Sequence, residues 1–433
     1  MVLVPVPRAT PGWGGRRGSG AGWQSGGVAE LRPFRALRPA PARAAAVAAP
    51  PYDVVDVAEA RALVEGRPDS FLHVSRPEID LPDDASPAQV HARGRAALES
   101  LVARGVLVPD AVPTLSVYRQ RRPGGAGEVL GQTGVVGLAS VADYRSGAVA
   151  VHEHTRPDKE DDRTEHLAAL GAHDEPVFLM YPGRASIDAL VAAVTRRAPD
   201  VELRDHDGVE HTLWIVADPT DVGQLTAAFA DVPTLYVADG HHRSAAAARL
   251  HEQAPDLPGS DAFPVVAFPA EQLTVLPYHR VVAAPLAATA LAPPAGFDVH
   301  AGDARTPDTL ARHEFGLYAG GRWHRLTARP DTVDEADPIA RLDVALLQAA
   351  VLGPHFGIAD PRTDPRLAFV GGSRGTGELV ALVDSGRYAA AFALHPTSAA
   401  EVMAVADRGL VMPPKSTWFD PKLASGLFVH QLG

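Results

Sequence analysis

Apolar positions along the 433-residue chain fall into short blocks that switch repeatedly between the two-residue spacing of strands and the wider spacing of helices. Residues 114–118 alternate, Pro123 to Gly127 supply turn chemistry and residues 134–141 are apolar again, which predicts a β-hairpin. Before it, residues 32–55 form a Pro-rich run ending in Pro50, Pro51, Tyr52 and Asp53, read as extended chain and turns. The apolar run 71–74 is read as a strand. Ser86, Pro87 and Gln89 open a helix with a capping box and proline at its first position. After residue 150, strands are expected at 177–180, 213–216 and 234–238, and helices at 186–197, 222–229 and 241–253. Residues 290–335 carry excess Pro, Gly and Thr and are read as a boundary or a hairpin insertion. The rest alternates again: helix 343–352, strand 367–370, helix 376–383, strand 388–394, and a helix opened by Ser398 with Glu401 as a second capping box.

This order predicts an α/β, mixed α+β protein, and the lack of a fixed period argues against a solenoid. At about 150 residues per domain the length suggests roughly three regions. They are placed at 28–150, 151–290 and 291–433, after a disordered Gly-rich leader at 1–27. Composition narrows the functions. A formal net charge of -12 repels a phosphate backbone, so nucleic acid is not expected as a partner. No apolar run approaches the roughly 18 residues of a membrane span, so no membrane is expected either, and the cytoplasm is the expected location. Zero Cys removes disulfides, zinc-thiolate centres and cysteine nucleophiles. Of the 40 basic residues only Lys159, Lys415 and Lys422 are lysines. In so Arg-biased a chain, they mark places that want a compact ammonium.

Three segments carry candidate chemistry. Asp239, Gly240, His241, His242 and Arg243 sit where a strand turns into an alanine-rich helix. Helix-start N–H groups bind anions, and Arg243 can add a bidentate grip on phosphate. The blander reading has Asp239 as the helix cap and the histidines as surface groups. Residues 152–166 hold His152, Glu153, His154, Lys159, Asp162, Arg163 and His166 among nine charged residues in fifteen, a segment that is either a solvated helix or a site. Glu153 is the candidate general base, flanked by His152 and His154. A metal reading takes His152 and His154 from one strand face with His166 or Asp162; a magnesium held by a nucleotide is favoured over a metal caged by the protein. The tail presents Lys415, Ser416, Thr417 and Lys422, with Trp418 and Phe419 to tuck it down. A turn at 371–377 lacks the lysine of a phosphate-binding loop.

Pro50-Pro51-Tyr52-Asp53, Phe71-Leu72-His73-Val74 with Arg76-Pro77-Glu78, the His152 to Arg163 segment, Ala238 to Arg243 and Met412 to Lys422 occur together in this order. The set resembles the bacterial and archaeal domain-of-unknown-function family numbered 1015, from about Arg32 to the end. That family name implies no activity. Asp239 to Arg243 alone resembles the phosphate-binding box of the ParB and sulfiredoxin superfamily, which includes free-serine kinases. That likeness implies a ParB-like α/β core flanked by N- and C-terminal α+β regions, with Gly240 to Arg243 on nucleotide phosphates. Together these readings lead to a nucleotide-dependent phosphotransferase using ATP or ADP and Mg2+ on a small hydroxylated or amino-acid-like metabolite. Its rivals are a metal-assisted hydrolase of a phosphate ester and a nucleotide-gated ParB-like binding protein, the latter disfavoured because no basic patch stands out.

Overall fold

The computed structural model of the chain describes residues 29–123, 129–283 and 294–433. The expected leader and residues 124–127 of the expected turn lie outside the described residues. The fold is mixed α+β, built on two large sheets.

In chain order, Pro87–Ala103 is α1, Leu115–Pro123 β1, Val129–Ser140 β2, Val149–Ala150 β3 and Pro157–Leu170 α2. Val177–Tyr181 is β4, Ala185–Val194 α3, Val201–Arg204 β5, Glu210–Val216 β6, Pro219–Phe229 α4, Leu235–Asp239 β7, His241–Gln253 α5 and Ala262–Pro269 β8. These eight strands form one sheet in the order β3-β7-β4-β8-β2-β1-β6-β5. Tyr278–Val282 (β9), Phe297–Ala301 (β10), Glu314–Ala319 (β11), Arg322–Ala328 (β12), Leu367–Gly371 (β13) and Ala390–Leu394 (β14) form the second, ordered β10-β12-β11-β14-β9-β13. The first sheet thus draws strands from both sides of residue 150.

The period of two explains how both faces of the first sheet are used. Val177, Leu179, Leu235, Val237 and Val265 face a core closed by Ile187 of α3, Phe229 of α4 and Ala247 of α5. Their neighbours Phe178, Met180, Tyr236, Val266 and Phe268 face the other way and share a core with Phe297, Phe315 and Phe392 of the second sheet. Central strands buried on both faces read as unbroken apolar runs, which is why 177–180 and 234–238 stood out in the sequence.

The hairpin forms, with β1 and β2 antiparallel. Both expected capping boxes are present: Ser86 N–H donates to Gln89 at 2.9 Å, and Ser398 N–H donates to Glu401 at 2.9 Å. One element is corrected. Residues 71–74 are not a strand, because Leu72–Ser75 is a short helix. Phe71, Leu72, Val74 and Ser75 are all buried there, so the run shows neither the alternation of a half-buried strand nor a helical stripe, and its pattern could not separate the two. The irregular-looking 290–335 stretch holds β10, β11 and β12, where β11 and β12 form an antiparallel hairpin and β10 pairs antiparallel with the outer side of β12. No helix among the described residues is long and apolar enough to cross a membrane.

Candidate functional site

Strand direction brings the chemistry together. β3 and β7 are parallel neighbours, with Val149 beside Leu235 and Ala150 beside Tyr236. Both therefore leave the sheet at one end, β3 into His152 and Glu153, β7 into Asp239 and Gly240. β4 runs antiparallel to β7, so Asp174 and Glu175, just before it, reach the same end. The C-terminal tail returns over this edge: Met412 N–H donates to the His152 carbonyl at 2.8 Å, and Ser425 Oγ donates to Glu175 at 2.7 Å.

Gly240 has φ +96°, a left-handed conformation that glycine adopts without a Cβ penalty, and it caps α5 with no side-chain hydrogen bond. Ser244 is the first residue of α5 whose N–H finds a helical acceptor, Gly240 O at 3.0 Å. The N–H groups of His241, His242 and Arg243 have no such acceptor. Asp239 does not cap the helix. Its carboxylate accepts from Gly240 N–H at 3.0 Å and from Lys422 Nζ at 3.0 Å. Burial opposes its ionisation, but Lys422 and then Arg243 outweigh it and hold the Asp239 carboxyl below the usual range.

His152 and His241 are 2% and 6% exposed, and their rings meet edge to face with centroids 4.4 Å apart. Neither ring nitrogen of His152 makes a hydrogen bond of ordinary geometry, nor does Nε2 of His241. Burial holds His152 down to about 4, and burial followed by the neighbouring His152 keeps His241 well below the ordinary imidazole value. Glu153 is half-buried beside them; one ligand atom from each of the three residues lies within 4.8 Å of the others. Burial raises the Glu153 carboxyl, with Lys415 and Lys422 among the charges acting on it. His242 is partly open, accepts from Arg156 N–H at 3.1 Å, and is lowered by burial against the pull of Asp53.

Two of the three lysines come here. Lys422 Nζ lies 4.9 Å from the Trp418 ring centroid and Lys415 Nζ 5.4 Å from that of Tyr278, and those two rings contact each other at 5.3 Å. Lys415 takes a left-handed φ of 53°, and its carbonyl is held by Arg280 Nη2 at 3.0 Å. Lys159 is exposed on α2. Ser416 is turned inward, its hydroxyl donating to Pro413 O at 2.6 Å, while Thr417 is half-buried and Phe419 is sealed in the core. The tail is thus both tucked down and chemically presented.

The remaining expected residues separate. Arg243 is 9% exposed; its Nη1 donates to Pro176 O at 2.7 Å, and its charge is turned to Glu175 at 3.4 Å and Asp53 at 3.6 Å, with Nε and Nη2 making no hydrogen bond of ordinary geometry. Arg163 stacks on the Tyr52 ring at 4.3 Å and pairs with Asp162 at 3.0 Å. His154 is exposed. The metal set expected from His152, His154 and His166 or Asp162 does not assemble: residues 151–156 are not a strand, His166 pairs with Asp174 at 3.2 Å, and Asp162 faces Arg163 and His91. Among the described residues, the group that does converge is His152, Glu153 and His241.

Sequence reasoning missed Asp174, Glu175, Tyr278 and Arg280. Burial pushes Glu175 up to about 7 against the pull of Arg243. The signal for it was an acidic pair followed by Pro176 directly before a fully buried strand, where carboxylates have no water to face.

Residues 31–345 match the family described as "Protein of unknown function (DUF1015)". The chain belongs to the DUF1015 family. No curated protein matches it. Among solved structures it is similar to a free serine kinase in complex with AMP, at 14% identity, TM-score 0.34, covering 67% of this chain and 92% of that one. It is also similar to a conserved hypothetical protein from Pyrococcus furiosus, at 14% identity and TM-score 0.35, covering 68% and 95%. A third is SbnI with C-terminal truncation from Staphylococcus aureus, at 12% identity and TM-score 0.35, covering 68% and 87%.

Proposed function

We propose that this DUF1015 protein is a phosphotransferase that binds ATP or ADP with its phosphates at the start of α5 and passes a phosphoryl group to a small hydroxylated or amino-acid-like metabolite. One observation carries the reading: two of only three lysines in the chain converge on a helix start that no side chain caps. Free helix-start N–H groups and ammonium groups are what a polyphosphate requires, and phosphoryl transfer depends on positioning and charge neutralisation more than on covalent help from the protein.

In this reading Lys415 and Lys422 neutralise phosphate oxygens, His242 borders them, Asp239 fixes Lys422, and magnesium arrives held by the nucleotide's own oxygens. The acceptor has a place to sit. A cleft of about 740 Å³, walled by Pro51, Val55 and Leu63 on one side and by Trp418 and Leu423 on the other, has Lys422 in its lining. That volume lies in the range of small-molecule sites. The test is a melting-temperature series with ATP, ADP, AMP and phosphate, with and without magnesium, followed by phosphorus NMR of mixtures with hydroxylated amino acids. A rise with a nucleotide and a new phosphate-ester signal are expected; the absence of a rise with every nucleotide removes the reading.

A further inference from the structure

We infer that His152, Glu153 and His241 form a binding site for a divalent transition-metal ion, of the zinc class, with one coordination position left to an anionic oxygen ligand. This goes beyond the nucleotide reading and does not need it. Magnesium prefers oxygen ligands and keeps its water, whereas two imidazoles and one carboxylate are the donor set of zinc and its first-row neighbours.

The first observation is convergence. Ligand atoms of the three residues all lie within 4.8 Å of one another. Donors around a tetrahedral zinc at ordinary bond lengths stand about 3.4 Å apart, so a small contraction closes the set. The backbone makes the convergence possible, because parallel β3 and β7 deliver residues 152–153 and 241 side by side from one sheet end.

The second observation is the unpaired nitrogens. Nε2 of His241 and the ring nitrogens of His152 make no hydrogen bond of ordinary geometry, one His152 nitrogen lying only near the Val237 backbone, although His152 is 2% and His241 6% exposed. Leaving a buried polar atom unpaired is unfavourable, and here two such side chains meet edge to face at one spot. A metal ion pairs one nitrogen of each ring at once. A second imidazole nitrogen on His152 remains for a neighbour, and the Val237 backbone adjoins it.

The surroundings decide what completes the shell. Asp239 is committed to Lys422 and Gly240, each at 3.0 Å, so it is not a free fourth ligand. Lys415 and Lys422 act on Glu153, and His241 is the first residue of α5 with its free N–H groups. A cation in such positive company needs a negative partner. The open position therefore takes an anionic oxygen, and inorganic phosphate, which also suits the helix start, should tighten the metal.

The experiment uses the full chain, stripped with a chelator, and titrates it with Zn2+ and Co2+ in the absence of any nucleotide. Expected results are one ion per chain after dialysis, a Co2+ spectrum of low-symmetry coordination, tighter binding with inorganic phosphate, and at least tenfold weaker binding in His241→Ala and Glu153→Gln. X-ray absorption of the zinc-loaded wild type should show scattering from two imidazoles, a readout that stands even if a variant fails to fold. No uptake by the wild type, uptake unchanged in folded His241→Ala, or a shell without imidazole overturns the site. Because no nucleotide is present, failure here leaves the phosphotransferase reading intact, and a nucleotide that fails to bind leaves this site intact.

Discussion

Two groups of ionisable residues occupy the same end of the same sheet and are finished in opposite ways. In the inner group, Tyr52, Arg163, Asp174, Glu175 and Arg243 border a small space, and each guanidinium there has a carboxylate close by: Arg243 with Glu175 at 3.4 Å, Arg163 with Asp162 at 3.0 Å. Both groups hold buried polar atoms without a hydrogen bond of ordinary geometry, Glu175 Oε2 and Arg243 Nε among the inner ones, but in the outer group His152 and His241 are as deeply buried and meet each other's rings rather than an opposite charge, beside an uncapped helix start. Burial alone therefore does not mark a site. The inner guanidiniums and carboxylates neutralise one another and tie the Tyr52 segment, α2, α5 and the tail together, while the two outer imidazoles have no opposite charge paired with them among the described residues.

If the contrast is real, changes in the inner group move stability and changes in the outer group move ligand binding. The largest effect is expected for Arg243→Ala, which leaves Glu175 buried without its cation and should cost about 3–5 kcal/mol in chemical denaturation. Measured loss below 1 kcal/mol would mean that Arg243 is free for a ligand after all. Next is His173, 3% exposed in the same enclosed lining, which burial and then the charge of nearby His430 hold down to about 3. Its folded value lies below its unfolded one, so it contributes stability above about pH 6.5 that is lost as pH falls toward 3. His173→Phe should remove on the order of 2–4 kcal/mol of that acid loss, seen as a flatter melting temperature between neutral and acid pH.

A smaller effect of the opposite sign is expected at Glu175. Burial raises it to about 7, above its unfolded value near 4.5, so its contribution is present below pH 4.5 and is lost as pH rises through 7. Glu175→Gln keeps an acceptor for Ser425 and should abolish that decline, a change of about 1–3 kcal/mol at pH 8. A variant that keeps the wild-type slope assigns the titration to another group. The smallest stability effect is expected at Lys415, which is exposed: Lys415→Ala should shift unfolding by less than about 0.5 kcal/mol and yet weaken nucleotide binding by about tenfold.

Part of this was legible in the sequence. The strand–turn–helix at 234–253 was readable because an apolar run, Asp239-Gly240 and an alanine-rich segment each have a short-range physical meaning. The arrival of Lys415 and Lys422 at that turn was anticipated from their rarity among arginines and from the proline-led Lys-Ser-Thr tail, whereas Lys159, marked by the same rarity, lies exposed on α2. What the sequence hid were long-range pairings. Nothing local says that Arg243 is taken by Glu175 and Asp53, or that His152 meets His241 across a parallel strand pair while His154, two residues away, is exposed. Ser416 illustrates the same limit, since its hydroxyl is consumed by a carbonyl three residues back. The helix at 72–75 was misread because a short run buried at every position but His73 carries no usable periodicity.

The central claim is that the outer group is a receptor for anionic oxygens. Calorimetric titration of the wild type, Lys415→Ala and Lys422→Met with ADP and ATP in magnesium tests it most directly. The account predicts saturable binding to the wild type and a loss of about tenfold or more in each variant, with the melting temperature of free Lys415→Ala nearly unchanged and that of Lys422→Met lowered by the loss of the Asp239 pair. A wild type that releases no heat with either nucleotide, or variants that bind as tightly as the wild type, would contradict it.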